Sequence, residues 1–134
     1  MPWRPDLRRF RACAAALKPW ACAAARGGRL AVVFQPHLYS RTRDHAPEFA
    51  RAFLECDLLA VLPVYAAREA PLPGVDGDLI AAAAAALGHA DARFLPSGGS
   101  ARAVAAMLRE HDVCVTMGAG DVTELAPQIL EALA

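Results

Sequence analysis

The sequence predicts an α/β protein, a Rossmann-like three-layer sandwich with a mostly parallel sheet covered by helices on both faces. Two observations carry this prediction. Short apolar runs alternate along the chain with segments whose apolar residues recur at helical spacing. The apolar runs are nearly continuous, as in strands that are buried on both faces. With 134 residues, 56% of them hydrophobic, the chain is long enough to form one domain with its own core.

The predicted elements follow one another from residue 29 to the C-terminus, which we assign to a single domain. Strands are predicted at residues 30–34, 57–64, 92–95 and 112–117. Helices are predicted at residues 45–55, 78–87, 101–108 and 122–133, with Pro47 tolerated in a first turn and Ser100 as a cap. Residues 65–77 read as a Pro/Gly-rich loop. Residues 1–28 form a divergent N-terminal segment, which we expect to be helical around residues 10–17 and to be a replaced or truncated end.

Charge and cysteine content exclude several classes of protein. The first 43 residues hold nine Lys or Arg and one acid, whereas the rest holds five Arg and thirteen Asp or Glu. Because these charges cancel, we expect no nucleic-acid partner. The four cysteines form no Cys-x-x-Cys pair and have no His at zinc-ligand spacing, so we expect no metal site and a reducing cytoplasmic setting. No apolar run reaches about 18 residues, so no transmembrane helix is expected.

A group of polar side chains follows the first predicted strand, after Pro36. The carboxyl ends of parallel strands are where open α/β sheets bind ligands. One interpretation is an anion site, in which Arg41 and Arg43 grip a carboxylate or phosphate and His37 donates or accepts a proton. The other is a solvated loop whose Asp44 caps the next helix. The residue pattern alone leaves both open.

The remaining loops carry weaker signals. Residues 118–120, Gly-Ala-Gly, lie between a strand and a helix, and either form a structural turn or contact a ligand; Asp121 suits a helix cap. Glu69 either pairs with an Arg of the first loop or is a solvated carboxylate. His45, His89 and His111 stand alone in the sequence, so we interpret them as surface or capping residues.

Three motifs in this order resemble a known family. Residues 34–44 read Phe-Gln-Pro-His-Leu-Tyr-Ser-Arg-Thr-Arg-Asp, residues 64–76 include Val-Tyr-Ala-Ala-Arg-Glu-Ala-Pro and Pro-Gly-Val-Asp, and residues 118–121 read Gly-Ala-Gly-Asp. They resemble the C-terminal domain of UDP-N-acetylmuramate–L-alanine ligase, the Mur ligase that adds the first amino acid in peptidoglycan synthesis. The resemblance covers roughly residue 29 to the C-terminus and implies the fold of a Mur ligase C-terminal domain.

The resemblance implies a site for the amino acid. In such ligases ATP converts the muramate carboxylate into an acyl phosphate, which the amine of L-alanine then attacks. The C-terminal domain closes over the ATP-binding domain and holds L-alanine. Arg41 matches the family arginine that grips the alanine carboxylate, and His37 matches the histidine of the same loop. The implied substrate-binding residues are His37, Tyr39, Arg41 and Arg43, with possible loop contacts from Glu69, Gly118, Gly120 and Asp121; no catalytic residue is assignable.

The chain also departs from the family. Leu38 stands where the family has an arginine, and Arg68 stands where glycine is common. No Gly-x-x-x-x-Gly-Lys-Ser/Thr loop is present to cradle ATP, and the resemblance places the Mg²⁺ and UDP-N-acetylmuramate sites in other domains. We therefore expect the isolated chain to be inactive, with separately encoded N-terminal and central ligase domains as possible partners. The alternative is a non-catalytic interaction or ligand-binding module derived from a Mur ligase.

Overall fold

Four strands alternate with four helices in the computed structural model, which describes residues 29–96, 100–118, 120 and 122–134. The prediction for residues 1–28 lies outside these ranges. In chain order the elements are β1 Leu30–Gln35, α1 Tyr39–Ala52, β2 Leu58–Val61, α2 Asp78–Ala86, β3 Ala92–Phe94, α3 Ser100–Met107, β4 Val113–Gly118 and α4 Val122–Leu133. The predicted alternation is confirmed.

The strands form one parallel sheet in the order β3-β2-β1-β4. Strand β1 pairs with β2 on one side, through Ala31 and Leu58, and with β4 on the other, through Leu30 and Val113. The chain therefore proceeds from β1 outward to β3 and then crosses back to β4. This reversal makes the gap between β1 and β4 a topological switch point, where α/β sheets bind ligands at the carboxyl ends of the strands.

Helices cover both faces of the sheet, so the three-layer prediction is confirmed. Helices α1 and α2 pack on one face, where the ring of Phe34 lies 5.2 Å from that of Phe49 and 4.9 Å from that of Phe53. Helices α3 and α4 pack on the other, where Val33 contacts a cluster that includes Val104 and Ile129. Because both faces of β1 are buried, this strand is apolar from Leu30 to Phe34.

Polar side chains join the N-terminal ends of β1 and β4, at the opposite end of these strands from the switch point. The Arg29 guanidinium donates to Asp112 Oδ2 at 2.8 Å, and the backbone N–H of Arg109 donates to the same oxygen. Burial alone would raise the pKa of Asp112, but the hydrogen bonds from Arg29 and Arg109 outweigh it and lower that pKa. The charged carboxylate thus fixes the start of both strands.

The first helix was predicted too short. It begins at Tyr39 rather than at residue 45, so Pro47 lies inside α1 and not in its first turn. Asp44 does not cap the helix; it lies within α1, exposed, and pairs with Arg43 at 2.8 Å. The early start depends on Glu69, which is distant in sequence and accepts a hydrogen bond from the backbone N–H of Ser40 at 2.8 Å.

The second strand was predicted too long. It ends at Val61, three residues early, because Pro63 has no N–H to donate to a neighbouring strand. The chain nevertheless continues beside β1, since the N–H of Leu62 donates to Phe34 and that of Tyr65 donates to Pro36. The first helix ends at Ala52, three residues before its predicted end, and the remaining predicted boundaries agree with the structure within two residues.

Candidate functional site

The carboxyl end of β1 and the loop after β2 are held together by backbone hydrogen bonds. The N–H of Tyr65 donates to the carbonyl of Pro36 at 2.8 Å, and the N–H of Leu38 donates to the carbonyl of Tyr65 at 3.0 Å. His37 and Tyr65 thereby form an isolated parallel bridge, and their rings stack with centroids 6.0 Å apart. The sequence separates these aromatic side chains by 28 positions, yet the sheet places them side by side.

Arg41 lies one helical turn beyond His37 and contacts it. Arg41 Nη1 is 3.2 Å from His37 Nδ1. A guanidinium nitrogen can only donate, so Nδ1 of His37 must be the acceptor. In the tautomer that makes this hydrogen bond, the ring N–H is at Nε2, where it can donate to an anionic oxygen. Arg41 and Tyr65 together fix the orientation of this ring.

Leu38 has an unusual backbone conformation between these residues. Its backbone φ is 68°, a value that residues other than glycine rarely adopt. The Leu38 carbonyl accepts hydrogen bonds from Thr42 N at 3.2 Å and Thr42 Oγ1 at 2.9 Å, and Thr42 is fully buried. The backbone at position 38 is therefore held from both sides, whichever side chain it carries.

The glycines at and just after the end of β4 complete the switch point. Gly118 has φ 121°, and a Cβ there would come within 2.2 Å of the Gln35 carbonyl oxygen. Gly120 has φ 67°, and a Cβ there would come within 2.6 Å of the Tyr65 ring. Both positions need glycine, for conformation and for space. The structure thus gathers Gly118 and Gly120 with His37 and Arg41, whereas Asp121 lies outside the described residues.

Glu69 meets a serine rather than an arginine of the first loop. Its carboxylate accepts from Ser40 N at 2.8 Å and from Ser40 Oγ at 2.5 Å. The hydroxyl hydrogen bond from Ser40 chiefly lowers the pKa of Glu69, with smaller contributions from the backbone N–H groups of Ser40 and Tyr39 and the charge of Arg43. The negative charge lies at the positive end of the α1 dipole. Glu69 therefore anchors the loop that carries the predicted site.

The other predicted residues of the first loop lie on α1. Tyr39 is the first residue of the helix and is half-buried. Arg43 is exposed and holds Asp44 at 2.8 Å, which raises the pKa of Arg43 through that hydrogen bond. Arg43 is therefore engaged at the surface, while Arg41 is half-buried beside His37.

Sequence reasoning missed Gln35, the last residue of β1. Its Nε2 donates to the carbonyl of Pro63 at 3.4 Å, and its Oε1 lies close to Gly120. Among the described residues this enclosed oxygen has no hydrogen-bond partner. A polar residue that ends an apolar strand at a switch point was the available signal.

The sequence predicted that His89 stands alone, but in the structure it contacts Cys56 and Asp91. Its Nε2 lies 3.5 Å from the Sγ of Cys56, and its Nδ1 accepts from the backbone N–H of Asp91 at 3.1 Å. The Cys56 thiol is buried and donates to the carbonyl of Phe53. This pair lines a cavity of about 630 Å³ at the opposite end of the sheet from His37. Because the thiol hydrogen is donated to the Phe53 carbonyl, the sulfur can only accept at its contact with the imidazole.

The family resemblance places the Mg²⁺ site of the ligases in another domain, and the described residues form no group of metal ligands of their own. Across residues 29–96, 100–118, 120 and 122–134, no three His, Cys, Asp or Glu side chains are grouped so that they could hold a metal ion. Within the same ranges, no helix is both long and apolar enough to cross a membrane.

Comparison with known proteins finds sequence similarity to one kind of enzyme. No family model matches it. It is 47% identical over 123 residues to the UDP-N-acetylmuramate–L-alanine ligase of Thermobifida fusca, covering 91% of this chain and 25% of that protein. The ligase of Mycobacterium bovis is 52% identical over 110 residues, which is 80% of this chain and 21% of that one. The chain spans about a quarter of the length of the curated relatives it matches.

A solved structure shows the same fold. The crystal structure of the UDP-N-acetylmuramate–alanine ligase of Thermotoga maritima superposes with a TM-score of 0.64 at 21% sequence identity. The match covers 96% of this chain and 25% of the solved one. At this identity the likeness supports the fold, and the sequence relatives support homology.

Proposed function

From the homology of this chain to a single domain of UDP-N-acetylmuramate–L-alanine ligases, which it matches over about a quarter of their length, we propose that it is the amino-acid-positioning, C-terminal domain of such a ligase. Its substrate would be L-alanine, presented to an activated UDP-N-acetylmuramate held by other domains. The observation that carries the proposal is the convergence of Arg41, His37, Gly118 and Gly120 at the switch point of the sheet.

Arg41 is the proposed holder of the alanine carboxylate. Its guanidinium is a planar set of N–H donors that matches two carboxylate oxygens at once, and the contact with His37 orients that plane. Its half-buried position strengthens such a charge-assisted hydrogen bond relative to one made in open water. An equivalent lysine would supply charge without the two-pronged geometry.

His37 is proposed to donate rather than to accept a proton. With Nδ1 occupied by Arg41, the Nε2 proton can bind an oxygen of the alanine carboxylate or the oxygen that becomes negative when the amine attacks. Holding the amine near an activated carboxyl contributes by making the attack effectively intramolecular. The chain thus contributes orientation.

Activation of the muramate carboxylate belongs elsewhere in this proposal. Phosphoryl transfer needs backbone donors, a lysine and a metal ion around the terminal phosphate, and the chain offers no sequence loop of that type. Leu38 also supplies no donor where the family has a guanidinium. We therefore expect L-alanine to bind the isolated chain only in the millimolar range, about −4 kcal/mol.

An NMR titration of the labelled chain with L-alanine tests the proposal. We expect saturable shift changes centred on His37, Arg41, Tyr65 and Gly120, with millimolar affinity. Arg41→Met should weaken binding about tenfold or more, since a hydrogen bond to a charged group contributes about 1.5–3 kcal/mol. Arg51→Met, at an exposed position of the same helix, should leave affinity unchanged. Absence of saturable binding, or equal affinity in the Arg41 variant, would favour the non-catalytic module.

A further inference from the structure

Tyr65 is an aromatic side chain at the switch point that is covered at one end only. Its ring stacks on the His37 imidazole, with centroids 6.0 Å apart and an angle of 26° between the planes. A Cβ at Gly120 would come within 2.6 Å of Cδ2 and 2.9 Å of Cγ of this ring, so Gly120 lies against its inner end, next to the backbone. Tyr65 is nevertheless 41% exposed. The exposed part is therefore chiefly the outer end of the ring, with the Cε and Cζ atoms and the hydroxyl.

The backbone determines where this outer end lies. His37 and Tyr65 form a parallel bridge, and the backbone hydrogen bonds of Tyr65 with Pro36 and Leu38 hold the two positions side by side. Paired positions of neighbouring strands direct their side chains to the same face, so the two rings leave the backbone next to each other. A phenol side chain is longer than an imidazole side chain. The outer end of Tyr65 therefore extends past the tip of the imidazole, where Nε2 lies.

A ligand bound at Nε2 of His37 reaches this ring without any movement of the protein. In the proposed function, the N–H at Nε2 donates to a carboxylate oxygen of the amino acid. The side chain of an α-amino acid begins two bonds from the carboxylate carbon, so it comes to lie beside the outer end of Tyr65. Because this part of the ring is exposed, no segment has to open before the ligand makes the contact.

We infer that Tyr65 is a specificity-determining residue of the amino-acid site, and that the side chain of the bound amino acid packs on the outer end of its ring. This inference rests on the proposed function, in which Arg41 and His37 hold the polar groups of the same ligand. It gives the site a preference for amino acids with an apolar side chain over glycine. An apolar side chain gains free energy when it leaves water for the ring, whereas glycine has no side chain to bury.

NMR titrations of the complete chain with L-alanine and with glycine test this inference. The two ligands carry the same ammonium and carboxylate groups and differ by one methyl group. The wild-type chain should bind alanine about fourfold more tightly than glycine, which is the gain from burying one methyl group. Tyr65→Ala should bring this ratio to about one, whereas Tyr65→Phe, which keeps the ring, should preserve it.

Leu87→Ala is the matched control. Leu87 is 44% exposed, much like Tyr65, but it lines the cavity at the opposite end of the sheet from His37. Its replacement should leave both affinities and their ratio unchanged.

A second measurement needs no variant. In the wild-type complex, the methyl protons of bound alanine should show an intermolecular nuclear Overhauser effect to the ring protons of Tyr65. A role of Tyr65 that is limited to supporting His37 would not produce this signal. The test therefore stands even if Tyr65→Ala does not fold, which its thermal transition and the dispersion of its spectrum would show.

The outcomes separate this inference from the proposed function. If alanine binds and Arg41→Met weakens it, but the wild-type ratio is one, Tyr65→Ala keeps the wild-type ratio, or the Overhauser effect is absent, the inference is wrong and the proposed function stands. If Tyr65→Ala weakens alanine and glycine equally, Tyr65 only supports His37 and the inference is also wrong. If neither amino acid binds the wild-type chain, both are wrong.

Discussion

At the scale of single residues, the site depends on side chains that hold one another in a fixed state. His37 contacts Arg41 through Nδ1 and Tyr65 through its ring face, and these two contacts hold the ring in one orientation. The sequence showed that His37 and Arg41 were close to each other, because they are four residues apart. It could not show Tyr65, whose position beside His37 follows from the backbone bonds of Tyr65 to Pro36 and Leu38.

Glu69 makes the stability of the site loop depend on pH. Because hydrogen bonds from Ser40 lower the pKa of Glu69 in the folded state, its contribution is present above the unfolded pKa of about 4.3 and is lost as the pH falls through the folded pKa. Glu69→Gln should therefore lower the melting temperature at pH 7. The difference from wild type should shrink as the pH falls below about 4. Melting temperatures measured by circular dichroism between pH 3 and 7 (roughly the carboxylate titration range) check this.

Glu48→Gln is the matched control for this prediction. Glu48 lies exposed on α1, and its loss should change the melting temperature little at any pH. A deficit in Glu69→Gln that stayed constant across the pH range would contradict the argument, because it would point to lost shape rather than lost charge.

At the scale of elements, local pattern predicted the middle of each helix and strand but missed ends that distant residues determine. The start of α1 at Tyr39 depends on Glu69, which caps Ser40 across 29 positions. No periodicity within residues 39–52 contains that information. The early end of β2 had a local signal in Pro63, but the apolar residues on both sides of it favoured a longer strand.

Gly118 links the end of β4 to the end of β1, and its replacement should be costly. Gly118→Ala would place a Cβ against the Gln35 carbonyl in a backbone conformation that alanine adopts poorly. We expect a loss of about 2 kcal/mol or more in the free energy of unfolding, measured by urea denaturation.

Gly88 offers the control for this substitution. Its φ is 92°, also positive, but a Cβ there would meet nothing within 4 Å. Gly88→Ala should cost only the conformational part, about 1 kcal/mol. Equal losses for the two variants would show that contact with Gln35 contributes nothing to the stability of this turn.

At the scale of the whole molecule, the order of the strands produces the site. The predicted parallel sheet implied that residues after β1 and β4 lie at the same end of the sheet. In the structure Gly120 lies against Tyr65, and Arg41 contacts His37, which stacks on Tyr65. The sequence could not give the order β3-β2-β1-β4, so it could not identify β1 and β4 as direct neighbours. For the same reason, the sequence alone does not place Gln35 beside Gly118 and Gly120.

The chain also lacks a part of the sequence that the proposed reaction requires. It is homologous to about a quarter of a ligase and carries the loop that we propose orients an amino acid, but its sequence has no phosphate-binding loop for ATP. The account therefore predicts a division of labour: other domains activate the muramate carboxylate, and this chain presents the amine that attacks it.

Phosphate release in the presence of ATP, Mg²⁺, UDP-N-acetylmuramate and L-alanine tests this division of labour most directly. The purified chain is assayed alone and then together with the N-terminal and central domains of a related ligase as a separate protein, with those domains alone as the control. The account predicts no turnover by the chain alone and alanine-dependent turnover on mixing, which Arg41→Met abolishes and Arg51→Met preserves. Turnover by the chain alone, or no gain on mixing, would contradict it.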